Sequence, residues 1–101
     1  MPVDCTEEGR VLRARVPGEL DHHRAREVME ELDRRIDLLL PLRLTVDLSE
    51  LTFTDSSGIA VLLRAWKGMI HIRGAIKIVN TPDQAARVFR AAGLQRMLRF
   101  E

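Results

Sequence analysis

Residues 42–58 read Leu-Arg-Leu-Thr-Val-Asp-Leu-Ser-Glu-Leu-Thr-Phe-Thr-Asp-Ser-Ser-Gly. Leu42, Leu44, Val46 and Leu48 alternate with Arg43, Thr45 and Asp47, the period-two pattern of a strand with one apolar face. A strand covered on both sides would be apolar at both sets of positions. Helices are therefore expected mainly on one side of the sheet. The period then changes. From about Ser57 to Ile70, a stripe of Ile59, Leu62, Leu63, Trp66 and Met69 or Ile70 predicts an amphipathic helix. Trp66 fits that stripe, so core packing is its expected role.

Upstream, Ala25, Val28, Met29, Leu32, Ile36 and Leu39 recur at helical spacing. Asp21 is placed to cap that helix, and Pro41 to stop it. Glu30 with Arg34 and Glu31 with Arg35 are expected as i,i+4 pairs on its wet face. Before it, a strand around Val3–Cys5, a break at Glu8-Gly9 and a strand over Val11–Val16 predict a hairpin that ends at Pro17-Gly18. Downstream, Gly74 opens a strand over Ala75–Val79. Thr81-Pro82-Asp83-Gln84 reads as a capping box with proline at the first helical position. Ala85, Val88, Phe89 and Ala92 face inward on the helix that follows. Gly93 sits where a C-terminal cap glycine belongs, and Met97–Phe100 reads as a last short strand.

The order is β-β-α-β-α-β-α-β, an α/β fold with a mixed, mainly parallel sheet and helices mainly on one face. Strand–helix–strand units of this kind make right-handed crossovers between parallel strands. The loop 17–23 and the loop 49–57 are then expected side by side at the edge where sites form in open α/β sheets. Those two loops carry the densest polar chemistry: Glu19, Asp21, His22 and His23 in one, Asp55, Ser56, Ser57 and Gly58 in the other.

Composition narrows the function. A chain of 101 residues suits one domain, 1–101. It has no run of about 18 apolar residues, so no membrane span is expected. Its start lacks the pattern of a secretory signal, which makes the cytoplasm the default address. The net charge is +1 with both signs interspersed, so no nucleic-acid surface is expected. The single cysteine, Cys5, reads as an inert strand residue. No cofactor or metal is expected. His22 and His23 are adjacent on a helix and project about 100° apart, a poor chelating pair.

Thr54-Asp-Ser-Ser-Gly58 has two readings. Serine and aspartate are preferred N-caps, and capping alone explains their presence. Three candidate caps in a row, followed by glycine, also suit a hydroxyl offered at a helix N-terminus, where the dipole and free N–H groups favour negative charge. A serine hydrolase is disfavoured. There is no Gly-x-Ser-x-Gly elbow, and the histidines lie upstream with no evident oxyanion donor. A nucleotide site is disfavoured by the lack of a glycine-rich phosphate loop.

Three segments together carry a resemblance: Gly-Glu-Leu-Asp-His-His (18–23), the stretch from Leu44 to Gly58, and Ala-Gly-Leu-Gln-Arg-Met-Leu-Arg-Phe (92–100). In this order they resemble the STAS-domain anti-sigma factor antagonists, the first segment pointing to those that act in sporulation. The resemblance implies the STAS fold and a regulator of transcription without catalytic activity. It implies that Ser56 is phosphorylated by a serine kinase that is itself the anti-sigma factor. The unphosphorylated form binds that partner and releases the sigma factor, and a PP2C-type phosphatase resets the switch. Glu19, Asp21, His22, Asp55, Ser57 and Gly58 would shape the loop or touch the partner. An alternative within the same fold is a scaffold subunit of a stress-signalling or transporter-associated complex. Relatives commonly continue into another helix beyond the point corresponding to Glu101, which covers one sheet edge.

Overall fold

The computed structural model describes residues 3–101. Strand β1 (Asp4–Glu8) and β2 (Val11–Arg15) form the expected antiparallel hairpin, with Glu8 opposite Val11 across the turn. Gly9 takes the left-handed conformation there, at φ 64°. Strand β3 (Gly18–Leu20), helix α1 (His22–Leu39), β4 (Arg43–Asp47), β5 (Leu51–Thr54), α2 (Ser56–His71), β6 (Ala75–Val79), α3 (Asp83–Ala91) and β7 (Arg99–Phe100) follow, with a 3-10 turn at Leu94–Arg96. The main sheet has the order β1-β2-β4-β6-β7, parallel except for the β1 edge. None of the helices in the described residues is long and apolar enough to cross a membrane.

The period-two readings hold, in β4 from Leu44 onward, whereas Leu42 lies ahead of that strand and is 56% exposed. Leu12, Ala14, Leu44, Val46 and Ile78 form the buried face of the sheet, against Val28, Leu32 and Ile36 of α1, Val61, Leu62, Ala65 and Met69 of α2, and Phe89 of α3. Trp66 packs half-buried against this core. Arg13, Arg15, Arg43 and Arg99 point to the opposite, uncovered side, and all four are exposed there. Cys5 is half-buried on β1, and burial pushes its thiol pKa up, which disfavours the reactive thiolate.

The sequence reading needs correction at several points. Ala92, expected to face inward, is exposed as the C-cap of α3, and the last strand is only Arg99–Phe100. Residues 18–20 and 51–54 are short strands rather than loops: β3 and β5 pair in parallel as a separate two-stranded ladder. Glu31 is not on the wet face. It is buried, and its carboxylate accepts from Arg34 at 2.6 Å as well as from Arg35 at 2.8 Å. The Arg34 fork takes the i+3 carboxylate, and these two bonds hold the Glu31 pKa down. Helix α3 starts one residue late: Pro82 occupies the N-cap and no side chain caps it. Thr45 and Asp47 of β4 are also buried although they face the uncovered side.

Asp47 explains its own burial. Its carboxylate accepts from the Ser49 N–H at 2.9 Å, Asn80 Nδ2 at 3.1 Å and Arg13 Nη2 at 2.8 Å. Burial by itself would raise the Asp47 pKa, but these donors outweigh it and hold the group far below the usual carboxylate range. A depressed carboxylate pKa stabilises the fold above the unfolded-state value of about 4 and loses that contribution as pH falls through the folded value. Asp47 and Glu31 both have this sign. Thermal stability is thus expected to be flat between about pH 7 and 5 and to fall steadily below about pH 4. Asp47→Asn should start lower at neutral pH and show a shallower acid slope. Equal slopes for the two proteins would contradict the assignment.

Candidate functional site

Backbone bonds from Val16 N to Asp47 O (3.2 Å) and from Gly18 N to Glu50 O (3.0 Å) carry the β2–β4 pairing across Pro17 into the β3–β5 ladder. Leu20 lies opposite Thr54 in its register. Asp21 and Asp55, each one residue further on, are the N-caps of α1 and α2. The expected neighbourhood of the two loops is therefore present, and a parallel ladder enforces it. Asp21 Oδ1 accepts from the N–H groups of His23 (3.0 Å) and Arg24 (3.2 Å). Desolvation would raise the Asp21 pKa, but these backbone donors outweigh it and hold the group low. Asp55 Oδ1 accepts from the Ser57 N–H at 2.8 Å.

Thr54 organises the edge. It is fully buried, and its hydroxyl donates to the Leu20 carbonyl at 2.9 Å, with the Asp55 carbonyl also within 3.1 Å. Its own N–H donates to Gln84 Oε1 at 3.0 Å, and its carbonyl accepts from Gln84 Nε2 at 2.8 Å. The Gln84 amide thus replaces a missing neighbouring strand on the outer side of β5. This is why Gln84 is unavailable for the expected capping box. Gly58 makes room for Thr54: a Cβ at position 58 would stand 2.1 Å from Thr54 Oγ1. Across the ladder, the Arg24 guanidinium donates to the Pro17 carbonyl at 2.7 Å and to the Glu19 carbonyl, which fixes the turn into β3.

Ser56 is the first residue of α2 and is exposed, whereas Ser57 is half-buried behind it. Glu19, His22 and His23 are exposed on the neighbouring element. The two imidazoles do not diverge as helical spacing suggests; their ring centroids are 3.9 Å apart. The Ser56 side chain makes no hydrogen bond to a histidine or carboxylate among the described residues. Nothing there raises its nucleophilicity, which argues against acyl transfer by the serine itself. The arrangement instead offers an accessible hydroxyl to an incoming macromolecule. Phe53, opposite Glu19 in the ladder, adds an apolar contact 42% exposed. Sequence reading missed Phe53 and the bonds by which Thr54 and Gln84 hold the edge. Phe53 is in step with Leu51 at the strand period, yet Leu51 is buried and Phe53 exposed because the ladder's register shifts between them, so alternation carried no signal for it.

Residues 3–101 match the STAS domain family. The anti-sigma F factor antagonist of Paenibacillus polymyxa is 30% identical over 88 residues, covering 87% of this chain and 75% of the relative. Among solved structures, the anti-sigma factor antagonist SpoIIAA in its unphosphorylated form superposes with a TM-score of 0.85 at 22% identity, over 98% of this chain and 87% of that one. The phosphorylated form of SpoIIAA, a Bacillus cell fate determinant, gives 0.76 at 22% identity, over 98% and 90%.

Proposed function

The chain belongs to the STAS domain family, in which it joins non-catalytic regulators, and from that premise we propose that it is an anti-sigma factor antagonist switched at Ser56. The unphosphorylated form docks on an anti-sigma factor through the edge formed by β3, β5 and the starts of α1 and α2, and so frees the sigma factor. The anti-sigma factor acts as a serine kinase. It transfers the terminal phosphoryl group of ATP to Ser56 Oγ, with loss of the hydroxyl proton and release of ADP. A PP2C-type phosphatase hydrolyses the ester back to the hydroxyl and inorganic phosphate.

The observation that carries this reading is the exposed, unbonded Ser56 side chain at a helix start, beside a second helix start. Support comes from a relative named as an anti-sigma F factor antagonist and from a structural neighbour that exists in a phosphorylated form. Glu19, Asp21, His22 and Phe53 would meet the partner, while Asp55, Ser57 and Gly58 hold the loop in place. Sporulation would be the setting if the controlled sigma factor is of that type, and the cytoplasm the place where the kinase and its sigma factor meet. Incubation with the cognate kinase and ATP, followed by peptide mapping, is expected to place one phosphate on Ser56. Label on Ser57, or none, would contradict the switch and favour a scaffold role for the same fold.

A further inference from the structure

A second site lies away from the β3–β5 edge. A cavity of about 250 Å³ opens between α3 and the last strand, bounded by Thr81, Ala86, Phe89, Arg90, Gln95 and Phe100. Its floor is aromatic: the Phe89 and Phe100 rings are 6.1 Å apart, centroid to centroid, and tilted by 31°. Three features mark it as more than a gap in packing. Thr81 Oγ1 is shielded from solvent and has no hydrogen-bond partner, a costly state for a buried hydroxyl. Its orphaning follows from the start of α3: Pro82 occupies the N-cap, so the Thr81 hydroxyl does not bond the free N–H groups of the first turn. Arg90 is exposed at the wall and forms no ion pair among the described residues. The one acidic residue at the rim, Glu101, is engaged by Lys77 and Arg99 and leaves the Arg90 charge unanswered.

We propose that this cavity binds a small monocarboxylate with an aromatic or branched apolar body. The volume lies below the range of about 300–1,000 Å³ typical of drug-sized ligands, so the ligand is compact. Its body stacks on Phe89 and Phe100, and its carboxylate meets the Arg90 guanidinium in a charge-assisted bond. The polar edge then faces Thr81 and Gln95. The site owes nothing to the Ser56 reading and stands or falls separately from it.

The test is an amide-shift titration of the full chain with benzoate and, separately, with benzyl alcohol. Benzoate is expected to give saturable shifts centred on Thr81, Ala86–Arg90 and Leu94–Glu101, with a Kd of about 1 mM for so small a ligand. Benzyl alcohol, which lacks the charge, should bind about tenfold more weakly, and Arg90→Gln should weaken benzoate by a similar factor without changing benzyl alcohol. Because Arg90 is exposed, this variant keeps the fold, which its unliganded spectrum checks. Shifts that never saturate, shifts centred elsewhere, or equal benzoate affinity in Arg90→Gln would overturn the assignment.

Discussion

Ser56→Ala is expected to bind the anti-sigma partner as tightly as the unmodified chain, and to keep that affinity after kinase and ATP are added. The natural chain, treated in the same way, should lose at least about a hundredfold, or ~3 kcal/mol. The reason lies in where the charge sits. A phosphate on Ser56 adds about −1.5 to −2 charges at neutral pH. Within the free chain that charge is tolerated, since a helix N-terminus stabilises an anion by about 0.3–1 kcal/mol. On docking it must shed water beside Asp55 and Asp21, the caps of the two adjacent helices. The Arg24 guanidinium is already committed to the carbonyls of Pro17 and Glu19. An anion desolvated without a matching cation opposes binding by several kcal/mol. Calorimetric titration before and after kinase treatment measures the difference. If Ser56→Ala fails to bind while its thermal unfolding is unchanged, the hydroxyl itself is a docking contact and the switch model fails.

Gly58→Ala is expected to lower stability by about 2 kcal/mol, or about 10 °C in Tm for a chain of this size. Helix propensity predicts the opposite, since alanine is favoured over glycine by about 1 kcal/mol inside a helix. Packing reverses the sign. The added methyl would stand 2.1 Å from Thr54 Oγ1, 3.3 Å from Thr54 Cβ and 3.4 Å from Phe89. Thr54 cannot give way cheaply. It is β-branched, fully buried and bonded to the Leu20 carbonyl that joins the two halves of the edge. A shifted Thr54 also drags Asp55 and Ser56, so partner affinity should fall as well. The double variant Gly58→Ala with Thr54→Ala isolates the contact: its stability loss should be smaller than the sum of the two single losses by about 1 kcal/mol or more. Strict additivity would show that Thr54 is not what Gly58 accommodates.

What sequence reading could reach was set by periodicity and local chemistry. Leu12, Ala14 and Val16, and likewise Leu44, Val46 and Leu48, alternate cleanly and are buried as that alternation requires. The α1 cap at Asp21 was legible because a cap acts on its own chain within three residues. The β3–β5 ladder was not. Each strand is three or four residues long, one begins at Gly18 directly after Pro17, and Thr52 and Phe53 are both exposed. Tertiary bonds, Thr54 to Leu20 and Gln84 to Thr54, help to hold these strands, and no local pattern announces them. The capping box failed for the same reason: a contact 30 residues away in sequence outbid a local one for Gln84. Glu31 was misplaced because an i,i+4 pair reads alike whether it lies in water or over the core. The positions of Ser56, Asp55 and Asp21 were readable, since they follow from where strands end and helices begin.

The central claim is that phosphate on Ser56 acts at the docking surface and leaves the fold as it is. Amide spectra of the two forms, recorded on the free chain, test it most directly. Shifts should be confined to residues 17–24 and 53–60, with the amides of β1, β6 and β7 unmoved. Displaced resonances throughout the sheet would mean that the modification rearranges the domain, and the account would be wrong.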